Sequence, residues 1–219
     1  MLNTVDGVTA VTDGSVNYTN PNGDIYTINR LKYYLSNFEL TTSSGSKVKL
    51  PDTYFLIDDG KESSKKLVIN KIPVGDYTQM SYLIGVDSAR NTTGAQTGAL
   101  DPSNNMFWSW STGYIFFKLE GTSPQASING NNIAFHVGGF KNPYMNIVTV
   151  NLPLTATQLK ISNGKTSIVT LQAEINEVFK TPNLIDFASQ PFLTSAKDGV
   201  YISSNSQDMF SIQNIVNAQ

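Results

Sequence analysis

Apolar positions along this chain fall into short β-rich runs cut by turn residues, the pattern of an all-β sandwich or barrel. A turn at Asn20-Pro21-Asn22-Gly23 precedes two strand-like pieces, Ile25–Ile28 and Lys32–Leu40. TYFLIDDGK predicts a strand ending at Asp59-Gly60, a tight-turn dipeptide. KKLVINKIPVGDYTQMSYLIGVD predicts two strands around Pro73-Val74-Gly75-Asp76. GYIFFKLEG and NNIAFHVGGF predict adjacent strands, Met145–Leu154 a further one, and Lys165–Phe179 a long alternating stretch. Near the end, NSQDMFSIQNIV predicts a short helix, with Asn205 or Ser206 as cap and Met209, Ile212 and Val216 as its apolar stripe.

The expected fold is therefore all-β: an immunoglobulin-like antiparallel β-sandwich with a short C-terminal helix. At 219 residues, with no internal repeat and no linker-like tract, the chain is expected to form one domain over residues 1–219. Charged residues make up only 15% of it, against roughly 25% in typical soluble proteins. Its polar surface must come from Asn, Thr, Ser, Gln and Gly, which favour turns and strands over helices. The net charge of −2 offers no basic field for phosphate backbones, so nucleic acid is not an expected partner. With no cysteine, a disulfide framework, a thiolate metal site and a cysteine nucleophile are excluded. No apolar run is long enough to cross a bilayer, and MLNTVDGVTAV lacks the basic start and apolar stretch of a signal peptide. The composition favours an exported protein whose signal sequence is absent here.

Candidate chemistry is concentrated in DPSNNMFWSWSTGYIFFKLEG, which carries both tryptophans, Trp108 and Trp110, and in FHVGG, which carries the single histidine, His136. In an extended chain the two indoles would share one face. Period-two alternation puts His136 opposite Phe135 and Val137. The long polar loop Ser88–Asn105 is a common kind of functional segment. Asp87, Asn91, Asp101, Asn104 and Asn105 flank it, and their oxygens suit either calcium or loop capping, of which capping is the plainer reading. Trp108, Trp110 and Tyr114 along one strand face would also make a stacking platform for a carbohydrate or a peptide. Catalytic motifs are lacking. No G-x-S-x-G elbow exists, and nothing in the spacing of Glu120, Asp87 and Asp101 selects an acid/base pair, so the expected protein is not an enzyme.

The strings KYYLSNFEL, GDYTQMSYLIGVDS, GALDPSNNMFWSWSTGYIFFKLEG and FHVGG, in that order, resemble the MbnP-like (methanobactin-associated) copper-binding domain. More narrowly they are similar to the variety found in exported lipoproteins of Bacteroidetes-type bacteria. The likeness runs from about Tyr18 to the Asn205–Phe210 segment. It implies a secreted, periplasmic or outer-membrane and cell-surface β-sandwich, held at the membrane only through a lipid anchor outside this sequence. It also implies Cu(I) binding by histidine nitrogens together with a kynurenine, which a partner dihaem peroxidase-like enzyme makes from tryptophan. Carried over by position, that tryptophan is Trp108 or Trp110, and the histidine of the family's FH-x-G string is His136. The family's copper sites use at least two histidines, whereas this chain has one. The alternative is a metal-free carbohydrate- or protein-binding β-sandwich module.

Overall fold

The structure, a computed structural model, describes all residues except Ala95, Trp110, Ile128, Thr155, Ala156 and Gln219, and only the backbone of Asn129. Its principal strands are β1 (Leu2–Val5), β2 (Ile25–Thr42), β3 (Tyr54–Asp58), β4 (Gly75–Ile84), β5 (Gly113–Thr122), β6 (Asn132–Gly138), β7 (Val148–Pro153), β8 (Ile168–Glu174) and β9 (Phe210–Val216). The main sheet runs β7-β4-β2-β5-β6, with β3 also paired to β2; the smaller sheet runs β9-β8-β1. The fold is an all-β sandwich with one short C-terminal helix, α1 (Gly199–Asn205). Most pairings are antiparallel. β1 beside β8, and Phe192–Leu193 beside β6, are parallel.

The central strand β2 explains the architecture. Its inward residues are Tyr26 and Ile28, then Leu31, Tyr33 and Leu35, then Phe38 and Leu40, all buried. The apolar phase thus switches from even to odd and back. Strict alternation would turn one of these sets outward. The register shifts between Ile28 and Arg30, and again between Ser36 and Glu39, where Asn37 takes φ 54°. Each bulge inserts a residue where the phase changes. The two predicted pieces of this strand are therefore one strand of 18 residues. Its inner face meets the smaller sheet through aromatic contacts: Phe210 of β9 lies 5.9 Å from the Tyr33 ring and 5.5 Å from that of Tyr82.

Gly121 on β5 lets the strands close. A methyl group there would sit 1.8 Å from the Thr27 carbonyl oxygen of β2.

Three expectations need correction. NSQDMFSIQNIV is not the helix. The helix ends at Asn205, whose amide donates to the Val178 and Asn183 carbonyls (2.9 and 2.7 Å), and Phe210–Val216 pairs with β8 as an edge strand. An i, i+3, i+7 stripe of Met, Ile and Val is ambiguous, and the unpaired edge of β8 decides it. The stretch Lys66–Ile72 joins no sheet, and Lys71 within it takes φ 59°. Lys165–Phe179 is a strand only over Ile168–Glu174, then a 3-10 turn over Ile175–Phe179.

A second, smaller core covers the outer face of the main sheet. Tyr34, Val86, Leu100, Met106, Tyr114, Ile115, Phe116 and Phe140 form it, with Phe107 and Trp108 packed against them. The long loop after β4 provides this cover. It is not structureless: it contains a helical turn over Ser88–Asn91 and 3-10 turns over Gly98–Leu100 and Pro102–Asn104.

Candidate metal centre

His136 faces outward from β6, while Phe135 and Val137 are buried in the inter-sheet core. Its neighbours come from register. Directly across the sheet lie Lys118 of β5, Lys32 of β2 and Asp58 of β3, in one row. The next row pairs Arg30 with Glu120. Glu120 joins the two rows. Its Oε1 is 2.8 Å from His136 Nε2 and 3.9 Å from Lys118 Nζ, and its Oε2 is 2.9 Å from Arg30 Nη1.

Lys32 and Lys118 oppose each other, which like charges resist. Lys32 is relieved by Asp58 at 3.0 Å, and Lys118 donates to the Asn105 carbonyl at 2.8 Å. The Asn104 carbonyl lies 3.5 Å from Lys32 Nζ. The loop is thus fastened over the charged rows by main-chain oxygens. Burial pushes Lys118 below the usual lysine value; Glu120 opposes this, and Arg30 and Lys32 add to it.

Burial also lowers the His136 pKa, with Lys118 and Arg30 reinforcing it and Glu120 opposing. The ring is therefore neutral at pH 7, and a neutral imidazole beside a carboxylate donates its proton there. Nε2–H points at Glu120 and leaves the Nδ1 lone pair unused among the described residues. A carboxylate that fixes one imidazole nitrogen is the usual support for a histidine that binds metal through the other.

Trp108 is half-buried on the short strand Phe107–Ser109, which pairs with the start of β5. Its indole lies against Gly138, where a methyl group would come within 2.7 Å of Cζ3. Gly138 is two residues from His136 on β6, across a register shift between Val137 and Gly138, so the Trp108 indole reaches the strand that carries the histidine. Trp110 lies outside the described residues. Trp108 and Tyr114 do not run along one strand face: a turn separates their strands, Phe107 pairs with Tyr114, and Tyr114 is buried with its hydroxyl donating to the Leu100 carbonyl at 2.7 Å. The expected stacking platform loses its third ring.

The oxygen-bearing loop residues do not converge. Asp87 accepts hydrogen bonds from the Tyr54 hydroxyl and the Arg90 amide, capping the helical turn. Burial alone would raise its pKa; these hydrogen bonds outweigh it and hold the carboxyl below its usual range. Asn91 is buried, donates to the Val86 and Asp87 carbonyls, and accepts from the Tyr114 amide at 2.9 Å. Asp101 accepts from the Ser103 amide, and Asn104 donates to the Gly98 and Ala99 carbonyls. Among the described residues no group of three or more His, Asp or Glu side chains is placed to hold a metal ion.

The sequence profile of the MbnP family matches residues 2–198. This chain belongs to the MbnP family. No curated protein matches it. Among solved structures, MbnP from Methylosinus trichosporium superimposes with a TM-score of 0.51 at 15% sequence identity, over 89% of this chain and 78% of that one. At that identity the MbnP likeness in three dimensions is one of fold. The MbnP family is associated with methanobactin and copper. No helix among the described residues is long and apolar enough to cross a membrane.

Copper(I) favours thiolate, thioether and imidazole donors. His136 Nδ1 is one such donor. Met106 is buried in the outer cluster and Met145 is exposed on the far hairpin strand Tyr144–Met145. Glu120 is committed to three basic groups. The unmodified chain thus presents a single supported imidazole here, which does not by itself make a Cu(I) site. Trp108, against Gly138, is the rare side chain on the neighbouring strand.

Sequence reasoning missed the supports. Lys118 and Arg30 drew no attention, and Glu120 was noticed only as a catalytic candidate. A weak signal existed, since Arg30 and Lys32, like Lys118 and Glu120, are charged residues two apart inside apolar strands. Their mutual facing depends on register, which the sequence does not print.

Proposed function

We propose that this is an exported, non-enzymatic, copper-related binding protein, a single sandwich domain over residues 1–219, whose metal centre is built around His136 and completed by chemical conversion of Trp108. The observation that carries this reading is the clamp on His136: Glu120 holds Nε2, Nδ1 has no partner among the described residues, and the Trp108 indole lies against Gly138, two residues along the same strand. The chain's residues would contribute one fixed, neutral imidazole nitrogen. The second donor, a kynurenine formed from the tryptophan by a dihaem peroxidase-like partner, is what the family reading adds; Trp108 rather than Trp110 is the assignment favoured by the Gly138 contact. Arg30 is paired with Glu120 and Lys32 with Asp58, while Lys118 is held by the neutral Asn105 carbonyl and keeps its charge, so a neutral imidazole rather than the surrounding field is what this face offers a cation. The periplasm or cell surface is the compartment consistent with an absence of cysteine.

The test is a competitive Cu(I) titration on protein from its native host and on unmodified recombinant protein, each with and without His136→Ala. Peptide mass analysis of the Trp108 segment in the native-host protein accompanies it. Tight stoichiometric binding only in protein that carries a modified Trp108, lost in His136→Ala, is expected. Binding unaffected by His136→Ala, or native protein with intact tryptophan and no copper, would move the protein to the metal-free binding-module reading.

A further inference from the structure

Inside the sandwich, away from the outward-facing His136, a cavity of about 160 Å³ opens between the two sheets. Phe38 and Leu40 of β2, Met80 of β4, and Val169 and Leu171 of β8 line it. Its polar lining groups are already engaged. Lys65 Nζ is 3.0 Å from Asp59 and 3.2 Å from Glu62, and the Ser167 hydroxyl donates to the Lys160 carbonyl at 2.6 Å. The Met1 ammonium also lines the cavity and donates to the Lys65 carbonyl at 3.0 Å, so a cationic ligand would meet like charge there.

One wall is unlike the others. Leu67, Ile69 and Ile72 line the cavity from the segment Lys66–Ile72, while Val68, Asn70 and Lys71 are exposed. The two-residue alternation holds from Lys66 to Asn70 and is broken at Lys71, which takes φ 59°, and from Leu67 to Ile72 no main-chain hydrogen bond ties this segment to any described residue. A sealed packing defect would be walled by hydrogen-bonded strands on every side. This wall is held by three half-buried side chains alone, so it opens at low free-energy cost. Its closed form covers apolar surface that would otherwise meet water.

We propose that the cavity is a binding site for a small uncharged apolar molecule, of single-ring or short-alkyl size, and that Leu67–Ile72 is the strap through which it enters. The volume is close to that of an engineered apolar cavity, about 150 Å³, that takes benzene. Specificity comes from shape and from the apolar walls, so an amine of equal size binds more weakly than the hydrocarbon.

The probe is toluene, followed by methyl NMR on the intact chain. Saturable shifts are expected at the methyl groups of Leu67, Ile69, Ile72, Met80 and Leu171. Amide exchange over Leu67–Ile72 is expected to slow about tenfold at ten times the Kd, because opening then competes with bound ligand. Two cavity-filling variants, Val169→Phe and Leu67→Phe, serve as controls, and whichever folds is used. Each is expected to lose the shifts while keeping a cooperative unfolding transition. The proposal is overturned if toluene gives no saturable shift in the wild type, if a folded filling variant binds equally well, or if strap exchange does not respond. None of these readouts involves His136, Trp108 or copper, so the outcome is separate from that of the copper titration.

Discussion

His136 is the residue whose behaviour reports on its surroundings most directly. Burial lowers its pKa in the folded protein, while the unfolded chain takes up the proton near pH 6.5. Between the lowered folded value and about 6.5 the unfolded state therefore binds more protons, and stability must rise with pH across that window and level off above it. Urea unfolding between about pH 5 and pH 8 should show this slope in the wild type and a flatter one in His136→Gln. An identical slope in both would mean that the imidazole is not buried as described. Tyr82 is a second informative residue. Its hydroxyl is buried with no hydrogen-bond partner among the described residues, and its ring stacks on Phe38 at 4.9 Å. Tyr82→Phe keeps the ring and removes an unpaired polar atom, so stability should rise by about 1 kcal/mol in equilibrium unfolding.

At the scale of elements, β2 holds the sheet together and its bulges hold β2 in phase. Deleting Asn29 removes the extra residue at the first bulge. Either Tyr26 and Ile28 or the Leu31–Leu35 set must then face outward. The deletion should abolish cooperative folding, as read from circular dichroism and the loss of a sharp thermal transition. The sequence predicts the two ends of this strand, Ile25–Ile28 and Lys32–Leu40, but not that bulges join them into one. The C-terminal strand was not legible. Met209, Ile212 and Val216 satisfy a helical stripe as well as a strand, and only the hydrogen-bonding edge of β8 selects one. The Lys66–Ile72 segment is the converse case: its alternation predicts a strand, but no sheet edge receives it.

At the scale of the whole molecule, the loop after β4 turns the outer face of the main sheet into a second core and brings Trp108 to the histidine strand. Asn91 is its anchor, joining the Val86 and Asp87 carbonyls to the Tyr114 amide from a buried position. Asn91→Ala should cost roughly 2 kcal/mol, since it leaves a buried amide unpaired. It should also shift tryptophan fluorescence toward that of solvent-exposed indole, while far-ultraviolet dichroism stays that of a β-protein. An unchanged emission spectrum would mean that the loop is held by other contacts.

The sequence by itself determined the all-β class, the turns at Asn20–Gly23 and Asp59-Gly60, the placing of His136 opposite Phe135 and Val137, and the family, because each rests on local spacing or on a run of residues read in order. Tertiary structure alone decided which charges surround the histidine. Glu120, Lys118, Arg30 and Lys32 lie between 16 and 106 positions from it in the chain. They meet it through cross-strand register, and register is fixed by the burial of the opposite face. The same is true of Trp108 against Gly138, and of the strap over the apolar cavity: both are consequences of which surfaces two packed sheets leave uncovered.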